Sequence, residues 1–102
     1  MTIKINERDY NFELNGTVGI AYLAQKIIGD ENFDHKNIQH HHLAMLYTAF
    51  YTSNSGVKDL PNYEQFLASL TSKSVSEMTN YFWQRWEELE GPAPKEEKQG
   101  ED

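Results

Sequence analysis

The chain has 102 residues, of which 38% are hydrophobic and 13% aromatic, enough for one domain with a modest core. Its formal net charge of −7 disfavours a surface for nucleic acid or for an anionic membrane. The absence of cysteine excludes disulfides, thiolate nucleophiles and cysteine metal sites, and it is compatible with a cytosolic location.

The charge is distributed unevenly along the chain. Residues 87–102 contain seven acidic residues and two lysines, a net charge of −5, whereas residues 1–86 carry −2. Residues 1–10 lack an apolar segment, and no apolar run approaches the roughly 20 residues that cross a bilayer. We therefore expect a nearly neutral body with an acidic end, and neither a signal peptide nor a membrane span.

Residues 2–6 and 10–14 alternate between apolar and polar side chains, a pattern that predicts two strands. The polar residues 6–9 between them predict a turn. The expected buried side chains are Ile3, Ile5, Tyr10, Phe12 and Leu14. Because a lone hairpin is marginally stable in water, this one must pack on helices.

A break at residues 15–17 precedes a predicted helix that ends near Ile28, with Gly29 as its C-terminal cap. Its expected apolar face comprises Ile20, Leu23, Ala24, Ile27 and Ile28. The polar segment 30–36 is predicted to be a loop anchored by Phe33.

Residues 38–52 form the most apolar run that is long enough for a helix, with Asn37 as the expected N-cap. One helical stripe contains Ile38, His42, Met45, Leu46, Ala49 and Phe50, and a second contains Leu43, Tyr47 and Tyr51. Such a wide apolar surface predicts a central helix that is covered on more than one side.

Two further helices are predicted after the breakers at residues 53–56. The first is short, has Pro61 in its first turn, and buries Tyr63, Phe66, Leu67 and Leu70. The second starts at a capping box of Ser74 and Glu77 and ends near Glu90. Its expected buried stripe is Val75, Met78, Phe82, Trp86 and Leu89, and its expected solvated residues are Glu77, Asn80, Gln84, Arg85 and Glu88.

These patterns predict a mainly α (α+β) fold: a single helical domain over residues 1–90 in which an N-terminal β-hairpin packs on a bundle of about four helices. Residues 91–102 are predicted to be a disordered acidic tail. The segment 95–102 has no apolar residue, so it cannot bury enough surface to offset its ordering entropy.

The histidines are the first candidates for chemistry. His40, His41 and His42 are consecutive, and consecutive helical side chains point about 100° apart, so they cannot converge on one ion. We expect no metal site, a partly buried His42, and His40 and His41 at the rim of the helix start. Protonated histidines there would oppose the helix dipole, which predicts mild acid sensitivity.

Catalysis is the second candidate. Glu87, Glu88 and Glu90 cluster where the final helix is expected to be solvated, whereas a catalytic carboxylate belongs in an apolar pocket. The serine-nucleophile motif G-x-S-x-G, the P-loop and G-x-G-x-x-G are absent. We therefore expect no enzymatic activity and no cofactor.

Aromatic residues are the third candidate. Phe82 and Trp86 belong to the predicted core stripe, whereas Tyr81 and Trp83 flank it, where they either present area to a partner or lie under the hairpin. The second stripe of the central helix has the same two interpretations. The candidate partner-binding residues are therefore Tyr47, Tyr51, Tyr81 and Trp83.

The order of elements resembles a known family. The chain contains, in order, Ile-Lys-Ile-Asn at residues 3–6, a polar turn, Tyr-Asn-Phe-Glu-Leu at residues 10–14, then helices, Asn-Tyr-Glu-Gln-Phe-Leu at residues 62–67 and a charged tail. This order is similar to that of small tail assembly chaperones of long-tailed bacteriophages and prophages. The likeness covers the layout of about 90 residues through short motifs, and it carries over no residue-level binding motif.

This resemblance implies a non-catalytic protein of the bacterial host cytoplasm. Such chaperones coat the long helical tape measure protein and keep it soluble while tail tube subunits polymerise around it. Many exist also in a longer form made by ribosomal frameshifting, and an acidic end would suit that junction. The implied partners are a tape measure protein and, secondarily, the tail tube protein, with homo-oligomerisation left open.

Two alternatives remain. One is a small adaptor or regulatory domain that binds one folded partner through a helix groove. The other is a helical DNA-binding protein, which the scattered basic residues and the acidic balance disfavour. A gene position between those for a tail tube protein and a very long tape measure protein would favour the chaperone.

Overall fold

The computed structural model describes residues 1–29 and 38–91, apart from the side chains at positions 21 and 38–40. Within these ranges lie two strands and four helices: β1 Thr2–Ile5, β2 Arg8–Asn11, α1 Ile20–Ile28, α2 Ile38–Ser53, α3 Tyr63–Ala68 and α4 Ser72–Glu90. The strands pair in antiparallel orientation as one hairpin. The predicted mainly helical fold with an N-terminal hairpin and about four helices is confirmed.

Some predictions concern residues outside the described ranges. They are the loop anchored by Phe33, the Asn37 cap and the acidic tail beyond Gly91. The side chain of His40 also lies outside the description. Gly91 itself caps α4 with a φ of 82°, so the helix ends where the sequence predicts.

The hairpin turn is shorter than predicted. Ile5 pairs with Arg8, so only Asn6 and Glu7 form the turn, and their φ angles of 53° and 67° are those of a type I′ turn. This two-residue turn matches the twist of the flanking strands, which explains why it replaces the predicted four-residue turn.

The second strand is correspondingly displaced from the predicted range of 10–14. It ends at Asn11, and the backbone of Glu13 bonds with the Ser53 hydroxyl at 2.8 and 2.9 Å instead of continuing the strand. Phe12 and Leu14 are nevertheless buried, as expected. The alternating pattern therefore identified the buried side chains correctly but not the end of the strand.

Helix α2 is the centre of the domain. Its residues 44–50 are buried without interruption, which confirms that it is covered on more than one side. The ring of Phe50 lies 5.2 Å from that of Tyr10 in the hairpin and 5.0 Å from that of Phe66 in α3. Hairpin, α2 and α3 thus meet at Phe50, which is fully buried.

Helix α1 presents a narrower buried face than predicted. Ile20, Ala24 and Ile28, spaced four residues apart, are buried, whereas Leu23 is exposed and Ile27 only partly buried. The predicted burial of Leu23 is wrong because this helix packs chiefly on α2, and one neighbour covers only one stripe.

The starts of α3 and α4 differ from the predictions. Asn62 caps α3 through reciprocal bonds with Gln65, so Pro61 precedes the helix instead of lying in its first turn. Thr71 caps α4 in an extended conformation through a box with Ser74. The predicted box of Ser74 and Glu77 is wrong because α4 starts one turn earlier.

The C-terminal half of α4 is held by the segment before α1. Arg85, predicted to be solvated, is half-buried, and its Nε donates to the Leu14 carbonyl at 3.1 Å. The Thr17 hydroxyl donates to the Glu90 carboxylate. Leu89, predicted to be buried, is exposed because the last turn of α4 extends past the core.

Candidate protein-binding surfaces

The four candidate partner-binding residues occupy different environments. Trp83 and Tyr51 are 46% and 44% exposed, so each presents aromatic area to solvent. Tyr81 is half-buried, and its ring packs edge-on against Phe12, 5.8 Å between centroids, so the segment after the hairpin covers part of it. Tyr47 is only 4% exposed.

Of the two interpretations left open for Tyr47, the one in which its ring is exposed is therefore wrong. Its hydroxyl donates to the Pro61 carbonyl at 2.8 Å, and its ring lies 5.1 Å from Phe66 and 5.4 Å from Tyr63. Helix α3 folds over this side of α2 and turns Tyr47 into a structural residue. The sequence assigned it to a flank because the position of α3 depends on tertiary packing.

Tyr51, one turn further along α2, lies at an open depression between α1, α2 and α3. We call this depression the tyrosine groove, and its volume is about 740 Å³. The described residues that line it are Lys26, Ile27, Ile28, Tyr47, Tyr51, Asn62, Tyr63, Glu64 and Leu67. The groove exists because α1 and α3 flank α2 without closing over Tyr51.

The base of the tyrosine groove is aromatic and electrically neutral. The Tyr47 ring lies 6.0 Å from Tyr51 and 5.4 Å from Tyr63. Burial raises the pKa of Tyr47, with a further contribution from Tyr51, and burial also raises the pKa of Tyr63. Both buried hydroxyls therefore keep their protons at neutral pH.

Among the described residues the groove has two charged groups, and both lie at its edges. Lys26 on α1 and Glu64 in the first turn of α3 are both exposed. The Lys26 ammonium lies 5.7 Å from the centre of the Tyr22 ring. Neither charge forms a salt bridge with another described residue, so both are accessible to a partner.

A second aromatic surface lies on α4. We call Trp83, Trp86 and His42 the tryptophan patch. The imidazole of His42 stacks on the Trp83 ring at 6.0 Å and 9°, and the two indoles lie 5.6 Å apart. The Phe82 ring packs against both indoles, with its centroid 5.0 Å from that of Trp83 and 5.9 Å from that of Trp86.

His42 is partly buried as predicted, and it is tied to α4. Its Nε2 lies 3.0 Å from the Thr79 hydroxyl. Burial lowers the pKa of His42, and the neighbouring His41 lowers it further. The neutral imidazole is therefore favoured, which suits a packing role beside Trp83.

The described residues offer no arrangement typical of metal binding. No group of three or more histidine, aspartate or glutamate side chains in residues 1–29 and 38–91 comes close enough to hold an ion.

In the same part of the chain, no helix is both long and apolar enough to cross a membrane.

The sequence did not single out the tyrosine groove. Tyr63 and Leu67 were assigned to the buried side of α3, and Ile27 to the buried side of α1, yet all three are only partly buried. The second apolar stripe of α2, with Tyr47 and Tyr51, did indicate that further elements must pack against this side of the helix. Only the structure shows that these elements, α1 and α3, leave a gap over Tyr51.

Similarity to known proteins adds no assignment. No protein-family model matches the chain, and comparisons with curated proteins and with solved structures found no match.

Proposed function

We propose that this protein is a non-catalytic tail assembly chaperone of a long-tailed phage or prophage, which binds the tape measure protein in the bacterial cytoplasm. The observation that carries the proposal is exposed aromatic area at two separate places on a packed domain, Tyr51 in the tyrosine groove and Trp83 in the tryptophan patch. The likeness in the order of elements supports the choice of client.

Two aromatic surfaces suit a long, helical, aggregation-prone client. Tyrosine and tryptophan are enriched at protein interfaces because one side chain buries a large area at a low entropic cost. Tyr51 lies in the groove between α1, α2 and α3, whereas Trp83 lies on α4 outside the groove lining, so the two surfaces are separate. A chaperone that contacts a client at two places gains avidity, because the second contact becomes intramolecular.

Charge supports the same mode of binding. Residues 1–86 carry a net charge of only −2, so apolar burial and not long-range attraction drives association. The net charge of −5 over residues 87–102 increases solubility while an apolar surface is exposed. The secondary partner under this proposal is the tail tube protein, because its subunits assemble around the same tape measure protein that the chaperone binds.

The second candidate function is an adaptor or regulatory domain that binds one folded partner. The tyrosine groove favours it, because a single well-formed groove suffices to hold one helix of a partner. The two proposals differ in the client: an adaptor recognises a folded surface, whereas a chaperone keeps an aggregation-prone chain soluble.

Coexpression with the tape measure protein of the same genome separates them. We expect the soluble fraction of that protein to rise several-fold with this chain, and to fall again when Tyr51→Ala and Trp83→Ala are combined. Tyr22→Ala is the matched control, since Tyr22 is exposed but does not line the groove. Unchanged insolubility with the unmodified chain would reject the chaperone and favour the adaptor.

A further inference from the structure

We infer that the tyrosine groove receives one amphipathic helix of the protein partner, oriented by an acidic residue against Lys26 and a basic residue against Glu64. This inference rests on the proposed function in so far as the partner is a protein, and it specifies the chemistry of the segment that is bound.

A polar small molecule fits the groove less well than a peptide. A small-molecule site orients its ligand with a few convergent polar groups. Here the hydroxyl of Tyr47 is committed to the Pro61 carbonyl, and the charged groups lie at the edges, not at the base. The described part of the groove therefore offers aromatic and apolar side chains at its centre and carries its charges at its margins.

A helix fits better than an extended peptide. Extended peptides bind by adding a strand to a sheet edge, through main-chain hydrogen bonds. The walls of the tyrosine groove are three helices, in which most backbone groups are already bonded within the helix. A bound helix satisfies its own backbone and needs only side-chain contacts, such as apolar anchors at positions i, i+3 and i+7.

The charges at the margins give the bound helix a direction. Lys26 stands on α1 and Glu64 on α3, so the two flanks of the groove have opposite signs. A helix with acidic residues along one flank and basic residues along the other pairs with both charges in one orientation and repels both in the other. Charge complementarity thus selects among apolar helices as well as adding affinity.

A second copy of the chain satisfies the charges but not the shape. A two-fold axis would bring Lys26 of one protomer to Glu64 of its partner, which is self-complementary. It would also place two depressions of about 740 Å³ face to face, with no ridge to fill them. The unfilled space would lose the packing contacts that stabilise an interface.

The test uses the full chain, labelled with ¹⁵N, and two designed helical peptides of about 18 residues, roughly five turns. Both have leucine at positions i, i+3 and i+7. One, the matched peptide, has glutamate along one flank and lysine along the other, and the second has glutamate along both flanks, so it meets a like charge in either orientation. Titration followed by NMR gives both the site and the Kd.

We expect the matched peptide to shift amide signals around Tyr51 and Leu67 and to bind about fivefold more tightly at low salt than the peptide with glutamate on both flanks, since exposed ion pairs are weak. Glu64→Lys, which makes both flanks positive, should reverse the preference. Tyr51→Ala should weaken the matched peptide about tenfold, and Trp83→Ala, outside the groove, should leave it unchanged.

Several outcomes would overturn the inference. They are signal shifts confined to the tryptophan patch, equal affinities for the two peptides, no binding at millimolar peptide, or a dimer in solution that Tyr51→Ala dissociates. Because the peptides do not come from the tape measure protein, this test is independent of the coexpression experiment. Peptide binding in the groove together with an insoluble tape measure protein would reject the chaperone and retain the helix site.

Discussion

The side-chain amide of Asn54 forms two hydrogen bonds with the backbone of Asn11 and so occupies the outer edge of β2. Its Oδ1 accepts from the Asn11 N–H at 3.1 Å, and its Nδ2 donates to the Asn11 carbonyl at 2.8 Å. The same Nδ2 donates to the Phe50 carbonyl at 2.8 Å. Asn54, 4% exposed, therefore joins the end of the central helix to a hairpin that would be marginal alone.

We expect Asn54→Ala to lower the free energy of unfolding by about 1–3 kcal/mol, because it leaves partly buried backbone groups without partners. The exposed neighbour Ser55 supplies the control, and Ser55→Ala should change stability by less than about 0.5 kcal/mol. Urea denaturation measures both. Equal, small losses for the two variants would show that water replaces Asn54 at the strand edge.

Phe82 tests the packing of α4. It is fully buried against the core, so Phe82→Ala should cost about 3–5 kcal/mol, which a domain of this size cannot easily tolerate. Its neighbour Trp83 is an aromatic control that is nearly half exposed, and Trp83→Ala should cost much less. A thermal melt in which the two variants lose similar stability would contradict the burial pattern of α4.

The start of α4 distinguishes two capping schemes. In the structure Thr71 Oγ1 accepts from the Ser74 N–H at 3.1 Å, so Thr71→Ala should cost about 0.5–2 kcal/mol. Glu77 lies within the helix and is exposed, so Glu77→Ala should be nearly neutral. If chemical denaturation shows the larger loss for Glu77→Ala, the helix starts near Ser74 instead.

His42 should make the fold sensitive to mild acid. Its pKa in the folded protein is below the ordinary value of 6.5, chiefly because of burial, so the unfolded chain binds a proton more readily than the folded one. The stability from the neutral imidazole is therefore complete above pH 6.5. It decreases as the pH falls from 6.5 towards the folded pKa, and it does not decrease further below that value.

We expect His42→Gln to flatten the dependence of the melting temperature on pH between about 7.5 and 5.5. His41→Gln is the adjacent comparison and should flatten it much less, because His41 contributes less than burial to the lowered pKa of His42. A melting temperature of the unmodified protein that stays constant over this range would show that His42 does not titrate in response to folding.

The sequence predicted the hairpin and the four helices because apolar periodicity reflects which side chains are buried. It predicted the cap of α4 wrongly because Thr71 and Ser74 both fit the local pattern, and only the backbone conformation decides between them. The sequence left open whether Tyr47 is exposed or covered, for a different reason. Its burial depends on where α3 returns across α2, a tertiary contact that local patterns do not encode.

We propose that apolar burial at Tyr51 and Trp83 holds a helical client. Isothermal titration calorimetry with a soluble fragment of the tape measure protein, at several temperatures and salt concentrations, measures this binding. We expect a negative heat-capacity change, a Kd that changes by less than about tenfold between low and high salt, and weaker binding when Tyr51→Ala and Trp83→Ala are combined. Absence of binding, or binding that the double variant leaves intact, would contradict it.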